Sequence, residues 1–184
     1  MSGSREEALR RARAVRLVVF DVDGVLTDGG LHFDERGHEH KVFHSRDGHG
    51  MKMLLEAGVG IAVISGRVSE AVTHRMAGLG VRHVHQGCRD KLPAYRALLE
   101  ELDLRPEQTA YVGDDVVDLP VMRRAGLAVA VADAHPLVRE RAHWCTALPG
   151  GRGAAREVCE LVLEARGLLQ GALAPYLEDG PGGS

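Results

Sequence analysis

Short apolar runs alternate along the chain with segments of helical periodicity. Four runs are continuous and bounded by polar or turn residues, as is typical of strands buried on both faces. They cover residues 17–20, 60–64, 109–112 and 127–131, and a weaker run covers 81–85. Segments 48–57, 68–79, 91–102 and 116–125 instead space their apolar residues three and four apart, which predicts amphipathic helices. This alternation predicts an α/β fold, a Rossmann-like parallel sheet with helices on both faces.

Three segments fall outside this alternation. Residues 30–43 alternate apolar and polar side chains around a polar Asp-Glu-Arg-Gly turn, which predicts a β-hairpin flap within the first strand-to-helix connection. Residues 152–167 predict a last helix. Glycine, proline and serine are frequent in residues 171–184, which predicts a flexible C-terminal tail. We therefore expect a single domain over residues 1–170.

Composition excludes several classes of protein. The 184 residues carry a formal net charge of −3, which gives no general attraction to nucleic acid or to anionic membranes. No apolar run approaches the roughly 18 residues of a membrane span, and the charged N-terminus lacks the apolar stretch of a secretory signal. The three cysteines form no CxxC pair, which argues against a disulfide scaffold. We expect a cytoplasmic protein that binds neither nucleic acid nor membrane.

Carboxylates and one hydroxyl stand where the predicted strands end. Asp21 and Asp23 follow the first apolar run, Ser65 ends the second, and Asp114 and Asp115 follow the third. The carboxyl ends of parallel strands meet at one edge of a sheet, where open α/β folds bind their ligands. We therefore expect all five side chains along one rim. Each motif alone is common turn chemistry, but turn preference does not explain their joint placement.

This rim predicts a particular chemistry. Crowded carboxylates raise each other's pKa, and Mg²⁺, which prefers carboxylate and phosphate oxygens, relieves the repulsion. One carboxylate can then attack phosphorus to form an aspartyl-phosphate, and a second can serve as general acid and base. The Ser65 hydroxyl and the Lys91 ammonium, at the head of a predicted helix, would hold the phosphoryl oxygens.

Four motifs resemble those of the haloacid dehalogenase superfamily: Asp21-Val-Asp-Gly-Val-Leu-Thr-Asp, Ser65-Gly-Arg, Lys91 and Gly113-Asp-Asp. Within it, residues 17–167 are similar to the phosphatases that act on 3-deoxy-D-manno-octulosonate 8-phosphate, on the pathway to lipopolysaccharide. That narrower resemblance includes Arg46-Asp-Gly-His-Gly, Val131-Ala-Asp-Ala-His-Pro136 and Gly150-Gly-Arg-Gly153.

The resemblance implies a role for each motif residue. Asp21 is the expected nucleophile and Asp23 the expected general acid and base. Asp21, Asp114 and the backbone carbonyl of Asp23 would bind Mg²⁺, with Asp115 beside the metal or in its outer shell. The resemblance also implies Ser65 and Lys91 as phosphoryl-binding groups.

It further implies a protein without a cap domain that assembles as a homotetramer. The hairpin would pack between subunits, and a neighbouring subunit would cover each active site. A chain of this length supplies no lid of its own, and water must be excluded from the site.

The resemblance implies a sugar acid as substrate, so a cation would have to meet its carboxylate. Arg46 and Arg67 are the first candidates because a guanidinium can bind a carboxylate through two hydrogen bonds. Arg152 could also reach the substrate, or could instead belong only to a helix start. The presence of Arg67 favours the octulosonate 8-phosphate as the substrate. An N-acylneuraminate 9-phosphate stays open as an alternative substrate, and a non-catalytic oligomerisation module is a third possibility.

Four of the ten histidines lie within twelve positions, at His38, His40, His44 and His49. His38 and His40 would share one face of a strand, a spacing that could bind a transition metal. A polar, partly exposed hairpin without metal is the interpretation we favour.

Overall fold

The computed structural model describes residues 4–177. Its main sheet has six parallel strands in the order β5-β4-β1-β6-β7-β8. They span Leu17–Phe20 (β1), Gly60–Ile64 (β4), His83–His85 (β5), Thr109–Gly113 (β6), Leu127–Ala130 (β7) and Trp144–Cys145 (β8). The predicted fold class is confirmed, and the five predicted runs all become strands. Strand β8 is additional, because two residues are too short for a recognisable apolar run.

Eight helices surround this sheet in the described residues. They span Arg5–Ala12 (α1), Ser45–Glu56 (α2), Glu70–Leu79 (α3), Lys91–Glu101 (α4), Leu119–Met122 (α5), Pro136–Arg141 (α6), Ala154–Ala165 (α7) and Leu169–Leu177 (α8). The predicted helix 116–125 is shorter than expected. It is divided into a 3₁₀ turn, Val116–Asp118, and α5. Nothing among residues 4–177 forms a helix that is long and apolar enough to cross a membrane.

The central strands are the most deeply buried part of the molecule. All four residues of β1 and all five of β6 are buried, with Phe20 and Tyr111 inaccessible to solvent. Continuous apolar runs are therefore what this position in a parallel sheet requires. The polar residues that follow β1 and β6 emerge from the core at its carboxyl edge.

Helices α2 and α7 pack closely together. The Asp47 carboxylate of α2 is buried and accepts hydrogen bonds from the backbone amides of Gly153, at 3.2 Å, and Arg156, at 2.8 Å. It thus caps the N-terminus of α7, where a negative charge is favourable. Burial nevertheless raises the pKa of Asp47 above its ordinary value.

The predicted hairpin is present between β1 and α2. His32–Phe33 (β2) pairs antiparallel with Glu39–His40 (β3), inside the expected range 30–43. Leu31, Phe33 and Val42 expose more than half of their surface. The role of this hairpin as a flap between subunits stays a prediction.

The C-terminal segment corrects one prediction. Residues 171–177, expected to begin a flexible tail, belong to α8. Leu169, Ala172 and Leu173 pack against the hydrophobic core, so this part of the chain has an apolar face that holds it. The glycine- and proline-rich composition on which the prediction rested is concentrated in residues 178–184, which lie outside the described residues.

Candidate active site

A cavity of about 520 Å³ opens at the carboxyl edge of the sheet. It is lined by Asp21, Asp23, Gly29, Gly66, Arg67, Arg89, Lys91, Asp114, Asp115 and Val117. The structure therefore brings together the carboxylates and the lysine that the motifs singled out. Ser65 is buried one position before Gly66, and its hydroxyl oxygen accepts a hydrogen bond from the Arg67 amide at 3.2 Å.

Lys91 is buried against two carboxylates. Its Nζ lies 2.8 Å from Asp21 Oδ1 and 2.8 Å from Asp118 Oδ1. The lysine is the first residue of α4, whose N-cap, Asp90, accepts from the Leu92 amide. Burial lowers the pKa of Lys91, but Asp21 and Asp118 outweigh it and raise the pKa overall. A permanent positive charge is thus held against the predicted nucleophile.

Asp118 is a residue of this site that the sequence interpretation missed. It is fully buried, and both its oxygens are used. Oδ1 accepts from Lys91 Nζ and, at 2.7 Å, from the Tyr111 hydroxyl. Oδ2 accepts from the amides of Asp114, at 3.1 Å, and Asp115, at 3.3 Å. Asp118 therefore holds the lysine and the acidic loop in place. The sequence signal that could have revealed Asp118 is its charge at a position flanked by the apolar residues Val117 and Leu119.

The carboxylates at the base of the cavity suit a divalent cation. Asp21, Asp114 and Asp118 each offer an oxygen, and these atoms lie within 4.8 Å of one another. Asp118 is saturated by donors, which leaves Asp21 and Asp114 as the available pair. Asp114 Oδ1 is buried and has no hydrogen-bond partner among residues 4–177. An unpaired buried oxygen is costly, and Mg²⁺ binds through such oxygens.

Crowding and burial perturb the acids of this site. Burial, followed by the Asp118 carboxylate, raises the pKa of Asp21 to about 7 against the lowering effect of Lys91. Burial, followed by the charges of Asp21 and Asp118, raises the pKa of Asp114 to about 8. In the metal-free protein these two groups therefore retain protons at pH values where ordinary carboxyl groups have lost them.

We expect the stability of the metal-free protein to fall as the pH rises from about 4 to about 8. In that window the folded state holds more protons than the unfolded state, whose aspartates titrate near a pKa of about 3.9. Mg²⁺ requires the deprotonated carboxylates. The increase in melting temperature on adding Mg²⁺ should therefore be larger near pH 8.5 than near pH 6. An increase that is equal or smaller at the higher pH would contradict this assignment.

Two glycines let the backbone of the nucleophile loop approach its neighbours. A Cβ on Gly24 would lie 2.1 Å from Asp114 Oδ2, and one on Gly150 would lie 1.7 Å from the Gly24 carbonyl oxygen. The Gly150 amide also donates to Asp133 Oδ1 at 2.9 Å. The loop around Gly150 therefore supports the segment that carries Asp21.

Gly150→Ala should destabilise the protein by about 3 kcal/mol, because the added methyl overlaps backbone that cannot swing aside. The function of the site should be impaired as well, since the displaced carbonyl belongs to the loop that carries Asp21. The matched control is Gly78→Ala in α3, where a Cβ meets nothing within 4 Å and alanine favours the helix. Chemical denaturation of both variants checks the difference, and equal stabilities would refute the packing argument.

The arginines singled out for the substrate divide into two groups. Arg67 lines the cavity and forms an ion pair with Glu39 of the hairpin. Arg46 is exposed in the first turn of α2, and Arg152 lies 3.4 Å from Asp28. Neither Arg46 nor Arg152 is among the cavity residues of this chain. Their roles in substrate binding stay predictions.

Arg89 is a further cavity residue that the sequence interpretation missed. It is exposed, lines the same cavity as Arg67, and forms no ion pair with any residue between 4 and 177. The sequence signal that could have revealed Arg89 is its position two residues before Lys91, a residue that the motifs place in the site. A second guanidinium at the mouth of the cavity adds positive charge where an anionic substrate would enter.

The four histidines of the hairpin region lie in different elements, with His40 in β3 and His49 in α2. His38 Nδ1 lies 2.8 Å from Asp34 Oδ2 within the hairpin. His44 is the N-cap of α2, and the His49 ring meets the Tyr176 ring edge-on at 5.2 Å. Among residues 4–177, the group of side chains close enough to share a metal contains Asp21, Asp114 and Asp118 and no histidine.

Comparisons with known proteins identify similar chains. A family model for haloacid dehalogenase-like hydrolases matches residues 83–156. The 3-deoxy-D-manno-octulosonate 8-phosphate phosphatase of Yersinia pestis is 47% identical over 167 residues, which cover 91% of this chain and 89% of the relative.

Solved structures extend the similarity to the fold. The Moraxella catarrhalis phosphatase of the same description, in complex with a magnesium ion, a phosphate ion and KDO, matches with a TM-score of 0.91 and 37% identity over 93% of this chain and 98% of that chain. The cobalt-bound Haemophilus influenzae phosphatase matches with a TM-score of 0.86 and 40% identity over 91% and 99% of the two chains. In both comparisons the match covers most of each chain.

Proposed function

The chain belongs to the haloacid dehalogenase-like hydrolases and, within them, to the 3-deoxy-D-manno-octulosonate 8-phosphate phosphatases, and from this premise we propose how its residues act. It is a Mg²⁺-dependent phosphomonoesterase that releases phosphate from the octulosonate 8-phosphate. The relationship expected from the motifs is confirmed. Of the structural observations, the one that carries the assignment is Lys91 held between Asp21 and Asp118 beneath an acidic cavity.

Asp21 is the proposed nucleophile. One of its carboxylate oxygens forms a bond to phosphorus, and the bond from phosphorus to the sugar oxygen breaks. Asp23 donates a proton to the departing alkoxide. Asp23 then takes a proton from water, whose oxygen attacks phosphorus and frees the Asp21 carboxylate together with inorganic phosphate. Two carboxylates two residues apart on one loop can perform both steps.

Asp21, Asp114 and the backbone carbonyl of Asp23 are the groups that would hold Mg²⁺. When bound, Mg²⁺ offsets the negative charge that keeps a carboxylate away from a phosphoryl group. Asp115 is fixed beside these residues because its carboxylate accepts from the Val116 amide at 2.7 Å. We propose that Asp115 lies beside the metal or in its outer shell.

Lys91 and Ser65 are the proposed phosphoryl-binding groups. The buried ammonium of Lys91 already contacts Asp21, so it would face negative charge that develops on the transferring group. The Ser65 hydroxyl accepts from the Arg67 amide, which leaves its own hydrogen available to donate to a phosphoryl oxygen. Both side chains are buried and therefore pre-positioned before substrate arrives.

Arg67 and Arg89 are the proposed partners of the sugar carboxylate. Both line the cavity, and a guanidinium at its mouth can bind a carboxylate through two hydrogen bonds. A phosphoryl group at Asp21 and a carboxylate at these arginines would place the sugar across the opening. An N-acylneuraminate 9-phosphate shares both anionic groups and is the alternative substrate.

A homotetramer is the proposed assembly. The cavity is open to solvent, and the exposed apolar side chains Leu31, Phe33 and Val42 lie on or beside the hairpin. Contiguous exposed apolar side chains are typical of surfaces that bind another protein. A neighbouring subunit seated there could cover the cavity and exclude water. Light scattering tests this assembly, because it measures whether the molar mass in solution is that of four chains.

The substrate assignment predicts a strong preference in a panel of phosphate esters. With Mg²⁺ present, phosphate release from the octulosonate 8-phosphate should be at least about a hundredfold faster than from N-acylneuraminate 9-phosphate or simple sugar phosphates. Simple sugar phosphates lack the carboxylate, and the longer, N-acylated acid places its carboxylate and phosphoryl group at a different separation. Similar slow rates on every ester would withdraw the substrate but keep the phosphatase chemistry. No release from any ester would favour the non-catalytic module.

A further inference from the structure

A buried lysine links the hairpin to the catalytic loop. Lys41 follows β3, and only 2% of its side-chain surface is exposed. Its ammonium donates a hydrogen bond to Asp23 Oδ1 and lies 3.5 Å from Glu39 Oε2. A lysine is almost never buried unless its charge is paired. Both partners of Lys41 are carboxylates, and one of them is the proposed general acid and base.

Arg67 completes a closed ring of four charges. It forms an ion pair with Glu39 Oε1, and its Nε lies 3.9 Å from Asp23 Oδ2. Cations and anions alternate around the ring, which is electrically neutral. The ring joins three segments that are separate along the chain: the nucleophile loop, the hairpin, and the loop after β4.

The two oxygens of Asp23 are treated differently by this ring. Oδ1 accepts a hydrogen bond from Lys41, whereas Oδ2 accepts none from the residues between 4 and 177. The carboxyl group is therefore held by one oxygen, and the other stays available for proton exchange at the cavity that Asp23 lines. Rotation of the carboxyl group would cost the hydrogen bond with a buried ammonium.

We propose that Lys41 is a positioning residue for the phosphatase reaction, because it fixes the orientation in which Asp23 delivers a proton to the leaving alkoxide. The inference rests on the proposed function, since it requires Asp23 to be the general acid. It also makes the hairpin part of the active site of its own chain. If Lys41 served only to anchor the hairpin through its ion pair with Asp23, its replacement would lower activity on every ester alike, whatever the leaving group.

The nature of the leaving group separates these two roles. A sugar alkoxide needs a proton to depart, whereas the phenolate of p-nitrophenyl phosphate leaves without one. The measured quantity is kcat/KM, which reports on the steps up to departure of the leaving group. Lys41→Met should lower kcat/KM at least tenfold for the octulosonate 8-phosphate but less than about threefold for p-nitrophenyl phosphate, because general acid catalysis contributes about 10²-fold or more.

Three further variants make the test decisive. Lys41→Arg keeps a donor and should retain most of the activity on both esters. Lys52→Met, at an exposed lysine of α2, is the matched control and should leave both esters unchanged. The double variant Lys41→Met with Glu39→Gln removes one charge of each sign and serves if the single variant is poorly folded. Because Glu39 also pairs with Arg67, a proposed partner of the sugar carboxylate, the leaving-group dependence of the double variant is read on glycerol 3-phosphate, an alkyl ester without a carboxylate, against p-nitrophenyl phosphate.

Asp23→Asn, measured in parallel, distinguishes failure of the inference from failure of the proposed function. It should show the same dependence on the leaving group as Lys41→Met, and more strongly. Equal losses on both esters in Asp23→Asn would refute the acid role of Asp23 and, with it, the inference. The expected dependence in Asp23→Asn, together with equal losses or none in the Lys41 variants, would overturn the positioning role alone.

Discussion

Asp21→Asn should lower the rate of phosphate release by on the order of 10⁴-fold or more, because an amide cannot replace the attacking carboxylate. The folded structure should survive the change. Asp21 lies beside Asp114 and Asp118, and burial, followed by the negative charge of Asp118, raises its pKa. A neutral side chain of the same shape removes part of this repulsion, although it also weakens the ion pair with Lys91. The melting temperature without metal should therefore stay close to that of the parent.

Phosphate release and circular dichroism, measured on the same preparation, check both parts of this result. Asp103→Asn is the matched control, since Asp103 is exposed, remote from the cavity, and has a positive φ of 48° that asparagine tolerates well. The control should retain full activity. Activity of Asp21→Asn within a few fold of the parent would exclude the aspartyl-phosphate mechanism altogether.

Removal of Mg²⁺ by a chelator should lower the activity by at least about 10³-fold, and added Mg²⁺ should restore it. The reason is electrostatic, because the substrate brings a phosphoryl anion to a site where Asp21, Asp114 and Asp115 already crowd. Lys91 supplies one positive charge, but its ammonium is already paired with the carboxylates of Asp21 and Asp118. A second source of positive charge is therefore needed before Asp21 can approach phosphorus.

Titration of activity with Mg²⁺ measures this dependence. Asp114→Asn should require a higher Mg²⁺ concentration for half-maximal activity, because it removes a charged oxygen from the proposed ligand set. Asp103→Asn should follow the parent curve. Full activity after exhaustive chelation, or a curve for Asp114→Asn that coincides with that of the parent, would show that the metal is not held where we place it.

Much of this site follows from local features of the chain. Buried parallel strands require continuous apolar runs, so β1, β4, β6 and β7 can be recognised one by one. The residues after β1 and β6 then lie at a common edge by the geometry of parallel sheets. Asp21 and Asp114 could therefore be predicted together although 93 positions separate them.

Other features depend on contacts that no local pattern records. Strand β8 has two residues and exists because β7 offers it an edge to pair with. Helix α8 is held by its packing on the core, whereas the composition of the adjacent residues indicated a tail. Short elements have weak intrinsic preferences, so tertiary packing decides them.

The sequence by itself determined the sheet, its polar edge and the chemistry of the residues that meet there. It did so because burial dictates apolar runs and because strand direction places their ends together. Only the tertiary structure decided which partner each charge has. Asp118 reaches Lys91 and Lys41 reaches Asp23 across segments that are 27 and 18 residues apart. Ion pairs depend on distance and burial in space, and neither quantity is expressed in the order of residues along a chain.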